Sequence, residues 1–163
     1  MPQIRNTVML QGAPLRIWSA LVDRDQRRAW RPLIEVDDPD RLGRTRCAFT
    51  VNGWSRAIRT GAVVEYLDKP RCFAWRCGLR FVLELEERFE LEGDDGGARL
   101  THSLTMKGAL AYLFVSFLRA RLHDLLVETD GRFAGYLRWR FAHPVRSGAD
   151  RSGLARRYKG RGR

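Results

Sequence analysis

The chain lacks any apolar stretch long enough to cross a bilayer. Its longest uncharged apolar run, Gly108 to Leu118, is 11 residues between Lys107 and Arg119, where a membrane helix needs roughly 20. Cysteine is scarce, and the three present, Cys47, Cys72 and Cys77, are an odd number at spacings that suit neither a disulfide framework nor a zinc site. On a strand, the odd separation of Cys72 and Cys77 sends their thiols to opposite faces, against a shared metal. Also missing are Gly-x-Ser-x-Gly, a Walker loop, a dinucleotide fingerprint, His-Glu-x-x-His and Cys-x-x-Cys. Hydrolytic, nucleotide, nicotinamide and zinc chemistry therefore have no local support, and no cofactor or metal is expected.

Lysine is nearly absent, with 3 residues against 27 arginines, yet the net charge is +11. Residues 142–163 hold seven basic side chains against Asp150 alone, so +6 of that charge lies in the tail. Its glycines and serines, with only Leu154 and Tyr158 as sizeable apolar groups, predict a basic disordered arm. Two readings stand beside each other: an arm making weak electrostatic contact with nucleic acid or anionic membrane, or a solvated end of an arginine-rich chain. The remaining residues, 1–141, are enough for one domain of a soluble globular protein, given 163 residues in all with 44% hydrophobic and 30% charged. Met1 to Leu10 reads as a strand, without a basic segment followed by an apolar core, so a cytoplasmic location is expected.

Gln3 to Leu10 alternates, with Ile4, Val8 and Leu10 on one face and Asn6 among them. Pro14 opens a helical pattern through Ile17, Trp18, Leu21 and Val22, and a second short helix follows to near Trp30 and Pro32. From there to Lys107 the pattern is strand and turn. Asn52-Gly53 signals a tight hairpin, Asp68-Lys69-Pro70 a turn, and Gly93 to Gly97 another between two long strands. Ala109 to Arg140 has no proline and, as a helix, would span roughly 48 Å, with Asp130-Gly131 a place where it could break or bend. The class is α+β, one curved antiparallel sheet on a long C-terminal helix.

A two-residue turn at Asn52-Gly53 sets Phe49 opposite Arg56 and Cys47 opposite Ile58, making Ile58, Ala62, Val64 and Tyr66 the buried set of the second strand. On the later hairpin Phe81, Leu83, Leu85, Phe89 and Leu91 face in, together with Leu100, Leu104 and Met106, while Glu84, Glu86, Arg88, Glu90 and Glu92 face out. Parity also puts Glu87 and His102 inside, directly opposite or diagonal to each other.

The strand, the two short helices and the motifs Ala13-Pro14, Ile17-Trp18, Leu21-Val22-Asp23, Trp30-Arg31-Pro32 and Leu42-Gly43 resemble the opening of bacterial polyketide cyclase/dehydrase-like members of the START-like (SRPBCC) superfamily. The Gly61 to Tyr66 strand and the strand pair running into the long helix continue the resemblance over residues 3–140. It implies a helix-grip fold, a sheet of about seven strands wrapped on the helix around an apolar cavity. Members hold sterols, lipids, hormones or polyketide intermediates there, and most share no catalytic motif, so the resemblance specifies fold better than activity.

In such an interior the polar residues are informative, because burying them unpaired costs a few kcal/mol each (about 2–7). Asn6, Arg56, Glu87 and His102 are the four. Glu87 beside His102 could make the imidazole a general base for cyclisation or dehydration, or could position a ligand's hydroxyl or carbonyl, or could form an internal ion pair. Arg56 would lie at the rim, anchoring a carboxylate or phosphate or reaching to water. Trp54, Tyr66, Phe73, Trp75, Phe81, Phe89, Tyr112 and Phe117 would line the cavity or fill a core; His123 and His143 would be surface residues. Three functions are expected side by side: binding or transport of an apolar small molecule, a cyclase/dehydratase-type lyase or isomerase with His102 and Glu87 as catalytic pair, and an interaction module using the basic tail. The protein would be a monomer or homodimer, since the apolar start of the long helix can face the sheet, a second copy or a membrane.

Overall fold

The computed structural model describes residues 3–31, 34–50 and 57–143, with only the backbone of 112–118. β1 (Gln3–Gln11) leads into α1 (Pro14–Val22) and α2 (Arg24–Trp30), then β2 (Ile34–Val36), β3 (Gly43–Phe49), β4 (Ile58–Asp68), β5 (Cys72–Leu79), β6 (Leu83–Asp94), β7 (Gly97–Lys107) and α3 (Ala109–Ala142). The seven strands form one antiparallel sheet in the order β1-β7-β6-β5-β4-β3-β2. The sheet is curled, and α3 packs along it on the β1, β7 and β6 side. None of the described helices is long and apolar enough to cross a membrane.

Local chemistry accounts for the joints. Pro14 begins α1, where its missing N–H would have had no partner. Asp23 ends α1 and starts α2, its carboxylate accepting from the Gln26 amide at 2.9 Å. Gly12, between β1 and α1, has φ +117° and sits against the Phe141 ring, which a Cβ there would meet at 2.4 Å. Only glycine lets the end of α3 press on that turn. Gly108 does the same at the other end: at φ +102° it lets the chain turn from β7 into α3 against the Val82 carbonyl.

α3 runs unbroken through Asp130-Gly131 for 34 residues. Leu126, Asp130, Phe133 and Leu137 are buried on it at helical spacing. Phe133 and Leu137 join Trp30, Phe73, Phe89 and Leu100 in the main core, while Leu126 packs with Ile4 and Leu104 in a smaller cluster.

Three expectations about the sheet need correcting. Phe49 pairs with Ile58, not Arg56, and Cys47 with Thr60, a shift of two residues that preserves the faces but carries Ile58 to an exposed position at the start of β4. An irregularity between Val64 and Tyr66 reverses the alternation, so that Leu67 packs inward and Tyr66 turns out, its ring under the Arg88 guanidinium at 4.5 Å. Phe81 is the third. It lies in the turn before β6 at φ +69° and is 77% exposed beside Arg80, because β6 starts only at Leu83. The Asn52-Gly53 turn, Trp54 and Arg56, the side chains of Tyr112 and Phe117, and the tail beyond His143 lie outside the described residues.

Candidate functional site

Register on the inner face of the sheet brings the polar residues together. Asn6 of β1 is opposite His102 of β7, His102 is opposite Phe89 of β6, and Phe89 is opposite Phe73 of β5. The next inward row holds Ile4, Leu104, Glu87, Trp75 and Val64. Glu87 is therefore diagonal to His102, and its Oε1 lies 2.9 Å from His102 Nε2. Above the same ring, Asp130 comes down from α3, with Oδ1 at 2.7 Å from His102 Nδ1. Asn6 Nδ2 donates to the other Asp130 oxygen at 2.7 Å.

Glu87 Oε2 accepts twice, from Arg31 Nη1 at 2.5 Å and from Trp75 Nε1 at 2.7 Å. The result is a continuous polar chain, Asn6–Asp130–His102–Glu87–Arg31, in which Arg31, Glu87, His102 and Asp130 are all buried. Phe89 stacks on the imidazole at 4.1 Å between centroids. Arg31 is the residue that caps the C-terminal end of α2, so the chain ties α2, α3, β1, β5, β6 and β7 at one point.

The charges follow from these contacts. Burial alone would push the Glu87 carboxyl up, but the Arg31 charge and the His102 hydrogen bond hold it well below the ordinary carboxylate range. Burial would likewise discharge His102, yet hydrogen bonds to Asp130 and Glu87 outweigh it and raise the imidazole above its usual value. A carboxylate on each ring nitrogen thus favours the charged form of His102. With both ring nitrogens engaged inside the protein, neither presents a lone pair to an incoming molecule, which is what a general base must do.

Arg27 of α2 is the neighbour of this chain. It is 3% exposed, and its Nη1 donates to the Leu21 carbonyl at 2.9 Å. Its Nε and Nη2 have no partner among the described residues. The rings of Trp30, Phe73 and Phe89 surround the guanidinium carbon at 5.5, 5.3 and 5.9 Å. Burial and the adjacent Arg31 charge push its pKa down to about 9, partly offset by Glu87.

Of the residues singled out from sequence, Asn6, Glu87 and His102 are brought together, and Phe73, Trp75 and Phe89 surround them. These three aromatics are almost fully buried and fill space: Phe73 stacks near Phe89 at 6.0 Å, and Trp30 packs on Phe133 at 4.5 Å. Tyr66 and Phe81 are exposed and away from the site. His123 and His143 are exposed on α3 and at its end. Cys72 and Cys77 are on opposite faces, and it is Cys47 that hydrogen-bonds Cys77, a bond that with burial drives the Cys77 thiol up. Missed from sequence were Arg27, Arg31 and Asp130. Asp130 carried a signal, its spacing with Leu126, Phe133 and Leu137 on one helical stripe.

A seven-stranded antiparallel sheet curled on a long terminal helix, with two short helices after the first strand, defines the helix-grip class. Residues 1–134 match the family described as "Polyketide cyclase / dehydrase and lipid transport", and the chain belongs to that family. Solved structures of the same fold include a protein from Mesorhizobium loti, at TM-score 0.64 and 13% identity, covering 83% of this chain and 96% of that one. A protein from Arthrobacter aurescens superimposes at TM-score 0.67 with 12% identity over 83% of this chain and 85% of its own. A protein of the dynemicin biosynthetic locus matches at TM-score 0.65 and 19% identity over 83% of this chain, which spans 47% of that longer protein. No curated protein matches the sequence.

Proposed function

We propose that this protein binds an apolar small molecule between the inner face of the sheet and α3, and that the polar chain positions it rather than transforming it. The observation that carries this reading is the ionic chain itself, enclosed in an otherwise apolar and aromatic interior. Buried ion pairs recover their desolvation cost poorly, and a core selected for stability alone is served as well by hydrophobic side chains of the same volume. An ionic chain kept at the centre of a grip fold is therefore read as a device for orienting what the grip holds. The partly buried Phe49, Leu85 and Leu122 pack on the two core clusters.

The engaged nitrogens of His102 favour binding over a cyclase or dehydratase using His102 as base. Native mass spectrometry of protein purified from its own host, with solvent extraction of what it carries, tests the reading. A stoichiometric apolar molecule, released unchanged after incubation, supports it. Conversion of that molecule by wild-type protein, lost in His102→Gln by about two to four orders of magnitude, would replace it with the enzyme reading.

A further inference from the structure

One end of the sheet is apolar where it meets water. Ala62 is opposite Cys77 and Glu84 opposite Lys107, so the start of β4, the finish of β5, the start of β6 and the entry to α3 all reach the same end. Ile58 there is 47% exposed, Leu79 69%, Phe81 77% and Val82 44%. Leu79, Phe81 and Val82 share one turn, closed by the Val82 amide donating to the Leu79 carbonyl at 3.1 Å. The uncharged run Gly108 to Leu118 begins beside it.

Packing does not account for these side chains. The turn has a structural task, since the carbonyls of Phe81 and Val82 accept from the amides of Ala109 and Leu110 at 3.0 Å each and so satisfy the first turn of α3. That task falls to the backbone alone, and at φ +69° a glycine or asparagine would perform it with less strain. A phenylalanine here is unfavourable twice over, in its backbone conformation and in the apolar surface it leaves in water. The bonds to α3 hold the turn, and with it the ring, out from the end of the domain.

The charge left free at this end is positive. Glu84 and Glu86, the first two carboxylates of β6, are bonded to Arg76 and Lys107. Arg80 in the turn and Arg59 beside Ile58 are exposed and have no carboxylate partner among the described residues. A second copy of a chain of net charge +11 would bring cation against cation here, whereas an anionic surface that also takes up apolar side chains meets both features. We propose that this end docks on an anionic lipid bilayer, with Ile58, Leu79, Phe81 and Val82 entering the acyl boundary and Arg59 and Arg80 on the lipid phosphates. The contact is peripheral, since no described helix is long and apolar enough to cross. It goes beyond the binding of a small molecule and does not depend on it.

Co-sedimentation of the full-length protein with vesicles of phosphatidylcholine alone, and of phosphatidylcholine mixed with phosphatidylserine, tests it at physiological ionic strength. Wild type, Phe81→Gly and the double variant Arg59→Gln/Arg80→Gln are compared, each first checked for a cooperative thermal transition. Glycine suits the backbone at position 81, so that variant removes the ring without endangering the fold. Wild type should prefer the mixed vesicles by about tenfold or more, and the double variant should lose about tenfold in binding them. Phe81→Gly should also weaken binding to them by about tenfold or more. The basic residues 142–163 are the same in all three proteins, so these differences belong to the apolar end. Absence of wild-type binding to the mixed vesicles, or equal binding by wild type and Phe81→Gly, overturns the proposal. A wild-type dimer in sedimentation equilibrium that Phe81→Gly dissociates gives the patch to a second copy and overturns it as well.

Discussion

The two faces of the sheet carry charge in different ways. On the outer face Arg76 bridges Glu65 and Glu84, Lys107 reaches Glu86 at 2.6 Å, and Arg88 lies near Glu86 and Glu90. These partners alternate along the strands and remain in touch with water. On the inner face Glu87 and His102, joined by Arg31 from the end of α2 and Asp130 from α3, form a chain closed off from solvent. Outside, each pair is replaceable because water stands in for a lost partner. Inside, every member depends on the next, since no solvent screens a charge left alone.

Glu87→Leu should most sharply expose that difference. It strands Arg31 and removes the acceptor of both His102 and Trp75, and should cost about 3–5 kcal/mol in chemical denaturation. Asn6→Ala, which takes away one donor to the Asp130 carboxylate, should cost about 1.5–3 kcal/mol. On the outer face, Arg76→Ala should cost no more than about 1 kcal/mol, and less in high salt. A loss from Arg76→Ala equal to that from Glu87→Leu would dissolve the contrast.

Acidity gives a further handle, read from denaturation midpoints across pH. The raised His102 pKa contributes stability that is complete below its ordinary 6.5 and disappears as pH rises through the folded-state value. The depressed Glu87 pKa contributes stability present above its ordinary 4.5 and lost as pH falls through its folded-state value. Stability should therefore decline on both sides of an intermediate window. In His102→Gln the alkaline decline should be diminished, and a curve unchanged from wild type would show that the imidazole is not the titrating group.

Strand parity alone put Glu87 and His102 on one face within reach of each other, and helical spacing was sufficient for α1, α2 and α3. Parity failed where the backbone departs from regular alternation: at the irregularity beside Tyr66, and at Phe81, whose positive φ is seldom adopted by a phenylalanine. The Asn52-Gly53 signal found the hairpin's faces but not its pairing, because a shift of two residues leaves the faces unchanged. The partners of Arg31 and Asp130 were illegible for a different reason, although helical spacing put Asp130 on the buried stripe of α3. Those partners are 56 and 28 residues away, and nothing local to Trp30-Arg31-Pro32 or Asp130-Gly131 states which strand will lie beneath them.

The closure of Asn6 on Asp130, 124 residues further along, bears on how the chain is made. β1 precedes the other strands in the chain but pairs with β7, the last of the described strands, and only α3 then brings the carboxylate that completes the polar chain. The inward apolar residues of β1, β6 and β7 that α3 covers wait for that helix. Contacts between distant parts of a chain form slowly, because loop closure must precede the contacts that reward it. A chain ending before α3 leaves that apolar surface exposed, the condition under which folding intermediates aggregate.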